Sequence, residues 1–211
     1  MKASITGDIV GSQELSDPTL WLNPLEQVLN GFGESPDVWE IYRGDSFQIE
    51  VQPEDALRIS LIIKAVIKKL RVKKLNVRIA IGIGEKRFSS KHVGRSSGDA
   101  FVFSGRLLER LKQDKVNLGV KSPWPDFNRE FNMIFRLALI VMDGWTANSA
   151  EVAELMLKNP ELKQTEIGGV LEIAQSTVND RIRRASLYQI IGMEAYYRDR
   201  ISAILNRIQS N

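Results

Sequence analysis

Two aspartates carry the plainest chemical possibility in this chain of 211 residues. Asp8 stands in GDIVGS and Asp45 in YRGDSFQ. Oxygens from two Asp side chains, a backbone carbonyl from around Ile9 and oxygens from a phosphorylated ligand would make a hard-cation site of the Mg²⁺ type. Gly11 and Ser12, next to Asp8, and Gly44, next to Asp45, are the candidates for holding the phosphate or ligand. Asp also serves turns and caps, so a purely structural role stays open. With no cysteine and one histidine, His92, the common zinc sites, thiol nucleophiles and His-based triads cannot be assembled. A bound metal must use oxygen ligands.

A second group lies in TEIGGVLEIAQSTVNDRIRRA, residues 165–185. Ile167 and Leu171 lie four apart on a first helix, Ile173 falls in a turn, and Val178 and Ile182 lie four apart on a second helix. These five can share one small core, the spacing of a helix-turn-helix over about 162–186. Gly168 sits where two crossing helices leave little room. Ser176 is the expected cap of the second helix, which leaves Thr177, Asn179, Arg181, Arg183 and Arg184 directed outward. With Gln175, Ser176 and Asp180 they form the candidate DNA-binding set. Asn pairs with adenine, Arg with guanine, and hydroxyls and further Arg hold phosphates. The stretch resembles the helix-turn-helix of sigma-factor region four and related response regulators, except that Glu172 stands where glycine is usual. A helical hairpin used for packing or dimerisation has the same pattern.

The elements that must position these groups fall in two parts. Ala3 to Gly7 reads as a strand, Leu20 to Phe32 as a helix, and residues 38–43 and 46–52 as a hairpin about Gly44 and Asp45. Pro53, Glu54 and Asp55 suit the first turn of a helix that ends at Lys68 and Lys69. NVRIAIGIG (76–84) alternates as a strand, and a helix follows over about 99–112. The order βαββαβα is that of a ferredoxin-like, antiparallel sheet with helices on one side. Its first and third strands are antiparallel neighbours, which brings Asp8 beside Asp45. Two prolines in SPWPDFN (122–128) mark the boundary between a sheet domain, 1–121, and an all-helical domain, 126–211. Phe127 to Met142 and Ser149 to Leu157, with Ser149 as cap, read as helices. In the last helix Leu187, Ile190, Tyr197, Ile201, Ile204 and Ile208 form a candidate dimer seam broken by Glu194, or a stripe packed on its own domain. The fold class is α+β.

Composition is ordinary for a globular protein, with 43% hydrophobic and 26% charged residues. The first residues lack a signal-peptide pattern, and Met133 to Met142, interrupted by Arg136, is too short to span a bilayer, so no membrane association and a cytoplasmic location are expected. The net charge of +3 belongs wholly to residues 1–120. Between Arg58 and Arg95 there are 12 Lys or Arg and one acid, Glu85. That excess could hold phosphates of a ligand, lie along DNA, or be a solvated face. Residues 163–186 carry only four bases against three acids, so DNA affinity per monomer would be modest and a homodimer is expected.

GDIVGS, RGDSFQIEV, VRIAIGIGE and GDAFVFSGRLLERL follow one another as in the class III nucleotidyl cyclase domain, which residues 1–115 resemble. The resemblance implies metal binding by Asp8 and Asp45 and phosphate stabilisation by Arg106. It also implies lost cyclisation, because the family's asparagine falls on Val102, its purine-reading lysine on Ile41 and its purine-reading acid near Arg95. Over its full length the chain resembles the SatD family of bacterial proteins, described as transcriptional regulators. The expectation is a DNA-binding regulator with a cyclase-like sensor or dimerisation domain for a nucleotide or phosphorylated effector. The alternative is a Mg²⁺-dependent nucleotidyl or phosphoryl transferase.

Overall fold

The computed structural model describes residues 1–42 and 44–210. The expectation that Arg43 closes a strand lies outside the described residues. In chain order the first part comprises β1 (Lys2–Val10), α1 (Thr19–Asn30), β2 (Trp39–Tyr42), β3 (Ser46–Val51), α2 (Ala56–Lys69) and β4 (Asn76–Gly84). Then come the short β5 (Lys86–Phe88) and β6 (Ser97–Gly98), α3 (Asp99–Asp114) and β7 (Leu118–Lys121). Helices α4 (Pro125–Met142), α5 (Ala147–Lys158), α6 (Gln164–Leu171), α7 (Gln175–Arg184) and α8 (Leu187–Gln209) complete the α+β chain.

The main sheet has the order β2-β3-β1-β4-β7, antiparallel except between β4 and β7. β1 therefore sits between β3 and β4, as the strand pattern requires. One sheet face is aliphatic: Ile5 and Ile9 of β1, Phe47 and Ile49 of β3, and Val77, Ile79, Ile81 and Ile83 of β4 are buried. They join α1 and α2 in a single apolar cluster.

The element order leads one to expect helices on one side only, but α3 covers the other face. That face is small and polar, which admits a close helix. A Cβ on Gly82 would strike the Ala100 carbonyl and the Ser104 nitrogen of α3. Thr6 donates to Ser104 Oγ at 2.8 Å, Ser104 to Ser4 Oγ at 3.1 Å, and Gln48 Nε2 to Ser4 Oγ at 2.9 Å. These buried polar groups satisfy one another instead of facing water. β7, absent from the sequence reading, is joined to β4 through α3, the long crossover that a parallel pair needs.

The helical part packs directly on α2. That helix has no solvent face along its middle, since every residue from Ile59 to Ile67 is buried. The same apolar cluster runs from Ile5 through Ile63 to Phe135, Val152 and Ile201. Only residues 122–124 separate β7 from α4, so the segment is not a full stop. Pro125, expected to end regular structure, is the first residue of α4, a position where its missing N–H costs nothing. The α5 cap is Thr146, which accepts from the Ser149 N–H at 3.2 Å, and Ser149 lies inside the helix.

A polar knot bolts the two parts together. Lys64 of α2, 2% exposed, donates to Asp143 Oδ1 at 2.6 Å and to Asn76 Oδ1 at 3.0 Å. Asn76 and Asn117 each donate to an Asp143 oxygen at 3.0 Å, and Lys68 donates to the Asp143 carbonyl at 2.8 Å. Arg58 Nε reaches the Leu157 carbonyl at the end of α5, at 2.9 Å.

The stripe on α8 is used within the chain. Leu187, Ile190, Tyr197 and Ile201 are buried, and the Tyr197 ring lies 5.6 Å from Phe127 and 5.2 Å from Phe131. This stripe is therefore not a free dimer seam. Glu194, which interrupts the apolar stripe, is buried and paired with Arg198 at 3.0 Å.

Candidate functional site

The sheet brings Asp8 and Asp45 to the same end, as the topology demands. Asp8 lies within β1 rather than at its end, opposite Ser46 of β3, and the Ile9 N–H donates to the Asp45 carbonyl at 3.0 Å. Gly11 adopts a left-handed φ of 84° and Gly44 one of 83°, both natural to glycine. Ser12 Oγ donates to Asp45 Oδ2 at 2.8 Å, so it orients the carboxylate.

The register also places Arg78 of β4 opposite Asp8. Its Nη1 is 3.0 Å from Asp8 Oδ2, with both side chains 13% exposed. Burial pushes the Asp8 carboxyl above its usual value; Arg78 and then Lys112 pull it down, and Asp45 pushes it up. The Asp8 charge thus has a resident cation on one side and an acid on the other. Among the described residues, no cluster of three Asp, Glu, His or Cys surrounds the pair. A cation held between Asp8 and Asp45 would meet the positive charge of Arg78 on the other side of Asp8.

Arg106 is exposed on α3, and the α3 cation that acts on Asp8 is Lys112. Arg78 escapes a reading of β4 alone, where it is only the polar side of an alternating strand. The antiparallel topology that pairs Asp8 with the β3 start equally pairs it with Arg78, so the signal is present in the sequence.

Beside these groups a cleft of about 530 Å³ opens between β1–β3 and α3. Thr6, Tyr42, Ser46 and Gln48 line it from the sheet, with Arg95, Glu109 and Lys112 from the other side. Glu40 also faces it, held by His92 Nδ1 at 3.0 Å and by the Gly94 N–H at 3.1 Å. The hydrogen bond with His92, against a smaller burial effect, keeps the Glu40 carboxyl below its usual range. Among the described residues that line it, two acids, Glu40 and Glu109, face two bases, Arg95 and Lys112.

The second candidate lies in the helical part. α6 and α7 are joined by Glu172, Ile173 and Ala174. Ile167, Val178 and Ile182 are buried, and a Cβ on Gly168 would come within 2.8 Å of the Ile173 carbonyl. The Glu166 carboxylate accepts from the Lys163 N–H at 2.7 Å and closes the first turn of α6. Gln175, Ser176, Thr177, Asn179, Arg183 and Arg184 are exposed. Ser176 is not the cap, since α7 begins at Gln175 behind Ala174. Arg181 is not outward: it turns to α5 and pairs with Glu151 at 2.8 Å, with 15% of its side chain exposed. Asp180 is half-buried and lies 3.4 Å from Arg183.

Glu172 adopts φ 53° and ψ 41°, a left-handed conformation that favours glycine. Glu172→Gly removes the Cβ clash of that conformation and is expected to raise stability by about 1 kcal/mol. Urea unfolding should show a higher midpoint at unchanged slope; a lower midpoint would contradict the turn geometry.

No family model matches the chain, and no curated protein matches it. Among solved structures the chain is similar to a bacterial light-regulated adenylyl cyclase, at 17% identity and a TM-score of 0.38. The matched region covers 56% of this chain and 42% of that one, so it spans less than half of that protein. Among the described residues no helix is long and apolar enough to cross a membrane.

Proposed function

We propose that this protein is a DNA-binding transcriptional regulator that presents α7 of a helix-turn-helix to the major groove. The observation that carries this reading is the division of α7 into two faces. Val178, Arg181 and Ile182 turn inward, while Gln175, Ser176, Thr177, Asn179, Arg183 and Arg184 stand in solvent with base-reading and phosphate-holding chemistry. Packing of α7 against both α5 and α6 supports the same reading, since a recognition helix must be held rigidly. A homodimer would set two such helices on adjacent turns of the duplex.

In this reading the sheet part is a ferredoxin-like, cyclase-related layer that serves as a sensor or dimerisation module, in a cytoplasmic regulator of SatD type. The cleft beside β3 is its ligand site, for a polar effector rather than a metal-bound triphosphate. The enzyme alternative loses ground because Asp8, its first metal ligand, is engaged by Arg78.

Selection of duplexes from a random pool by the full chain tests the proposal. One sequence class should be enriched, and Asn179→Ala should relax preference at one base at a cost of about 1–3 kcal/mol. Joint Arg183→Ala and Arg184→Ala should weaken all duplexes alike. No enrichment, together with unchanged retention by the double variant, sinks the regulator. Turnover of a nucleotide that vanishes in Asp8→Ala would establish the enzyme instead.

A further inference from the structure

Of the bases between Arg58 and Arg95, most are already neutralised or engaged. Lys64 pairs with Asp143, Lys69 with Glu154, Arg78 with Asp8, Lys86 with Glu50 and Arg87 with Asp99. Arg58 and Lys68 are spent on backbone carbonyls. The charge left over on the helical side of the molecule is concentrated in the loop between α2 and β4, at Arg71, Lys73 and Lys74. All three are exposed. The partner of Arg71 is an amide, Asn148 Oδ1 at 3.1 Å, and that of Lys74 is Glu14 at 3.6 Å with both side chains in water, a contact too exposed to cancel much charge.

The loop is held rather than loose. Leu75 is buried and its N–H donates to the Val72 carbonyl at 3.3 Å, while Val72 packs on the core. Arg71 and Lys74 adopt left-handed φ values of 56° and 65°, conformations that side chains adopt at a cost. The result is a fixed basic knuckle.

Its position relative to α7 follows from α5. Arg71 binds Asn148, and Arg181 of α7 binds Glu151, three residues further along the same helix. Three residues of helix rise about 4.5 Å and return to the same face, so the knuckle and α7 flank one side of α5 within a turn of each other. On α7, Thr177 and Arg184 lie one turn either side of Arg181 and so lean toward the same flank.

We infer that Arg71, Lys73 and Lys74 form a second, sequence-indifferent contact on the phosphate backbone of the DNA that α7 reads. This rests on the regulator reading above and adds to it a contribution from the sheet part. Each phosphate neutralised adds about 0.9 to the slope of log affinity against log salt.

The experiment is a salt titration of duplex binding by the full chain, on the selected sequence and on an unrelated duplex. Joint Arg71→Ala, Lys73→Ala and Lys74→Ala should lower affinity for both duplexes by the same factor and make the slope shallower by about 2 to 3. Lys73→Glu alone, at an exposed side chain, gives the same trend with little risk to folding, which circular dichroism and melting temperature verify. Arg110→Ala with Lys91→Ala, elsewhere on the surface, should leave slope and affinity unchanged. If the wild type binds DNA and the loop variants keep its affinity and slope, this inference fails while the regulator reading stands. If the wild type retains no duplex at all, both fall.

Discussion

Asp143→Ala should lower the unfolding free energy by about 3 kcal/mol, the low end for breaking a buried ion pair. The low end applies because 36% of the Asp143 side chain reaches solvent, whereas only 3% of the Lys64 side chain does. Most of the loss comes from the lysine left in a dry site without its counterion, and the rest from Asn76 and Asn117, whose amides lose an acceptor. Lys64→Met together with Asp143→Leu should recover part of the loss, since no charge is then stranded, but not all of it, because both amides stay unpaired. The knot also fixes the acid limb. Burial pushes the Asp143 carboxyl up, but Lys64 and the amide hydrogen bonds outweigh it, so the folded value lies below the ordinary 3.8. A carboxyl depressed on folding contributes stability above its unfolded value and loses it as pH falls through the folded one. Asp143→Asn should therefore show a smaller drop in stability on acidification below about pH 4 than the wild type. Equal stability of Asp143→Ala and wild type at pH 7 would remove the knot as a joint between the two parts.

Gly82→Val is expected to cost about 3 kcal/mol or more, at the upper end of overpacking, because the side chain would enter the backbone of α3 rather than a yielding side chain. Neither β4 nor α3 can retreat. β4 is held by strands on both sides, and α3 is tied through Ser104 to Thr6 and Ser4. Gly192→Ala on α8 makes the contrast: nothing lies within 4 Å of its added Cβ, and a helix gains about 0.5–1 kcal/mol from the exchange. Denaturant titrations of the two variants should move in opposite directions. A Gly82→Val protein as stable as wild type would mean that α3 does not press on the sheet.

The sheet is readable because its pattern is redundant. Ile5, Ile49 and Ile81 occupy one face at matching register positions, so β1, β3 and β4 and their order follow from alternation and connection lengths. The side chosen by α3 does not, because a small polar face such as Ser4, Thr6 and Gly82 looks like solvent-facing strand until a helix is seen on it. β7 is only four residues long and is neutral in pattern. In α6–α7 the apolar spacing yields the pair, its turn and most of the exposed residues. Arg181 cannot be placed from α7 alone, since its direction is decided by Glu151 on another helix. The same applies to Asp8, where the pairing with Asp45 is legible but the guanidinium on the next strand shows only when β4 is set beside β1.

A helix shared by both halves changes what a map of harmful substitutions should look like. α2 is enclosed by the sheet on one side and α5 on the other, so the shape of either depends on the other through a few side chains such as Lys64 and Ile63. If α7 reads DNA as proposed, changes that silence it need not lie near it. They should scatter through β1, β4 and the buried faces of α2, leaving the exposed residues of α7 and of the Arg71–Lys74 loop as sets whose loss affects DNA binding without affecting the amount of folded protein. Abundance and recognition, scored separately across the chain, would draw the outline of the functional surface.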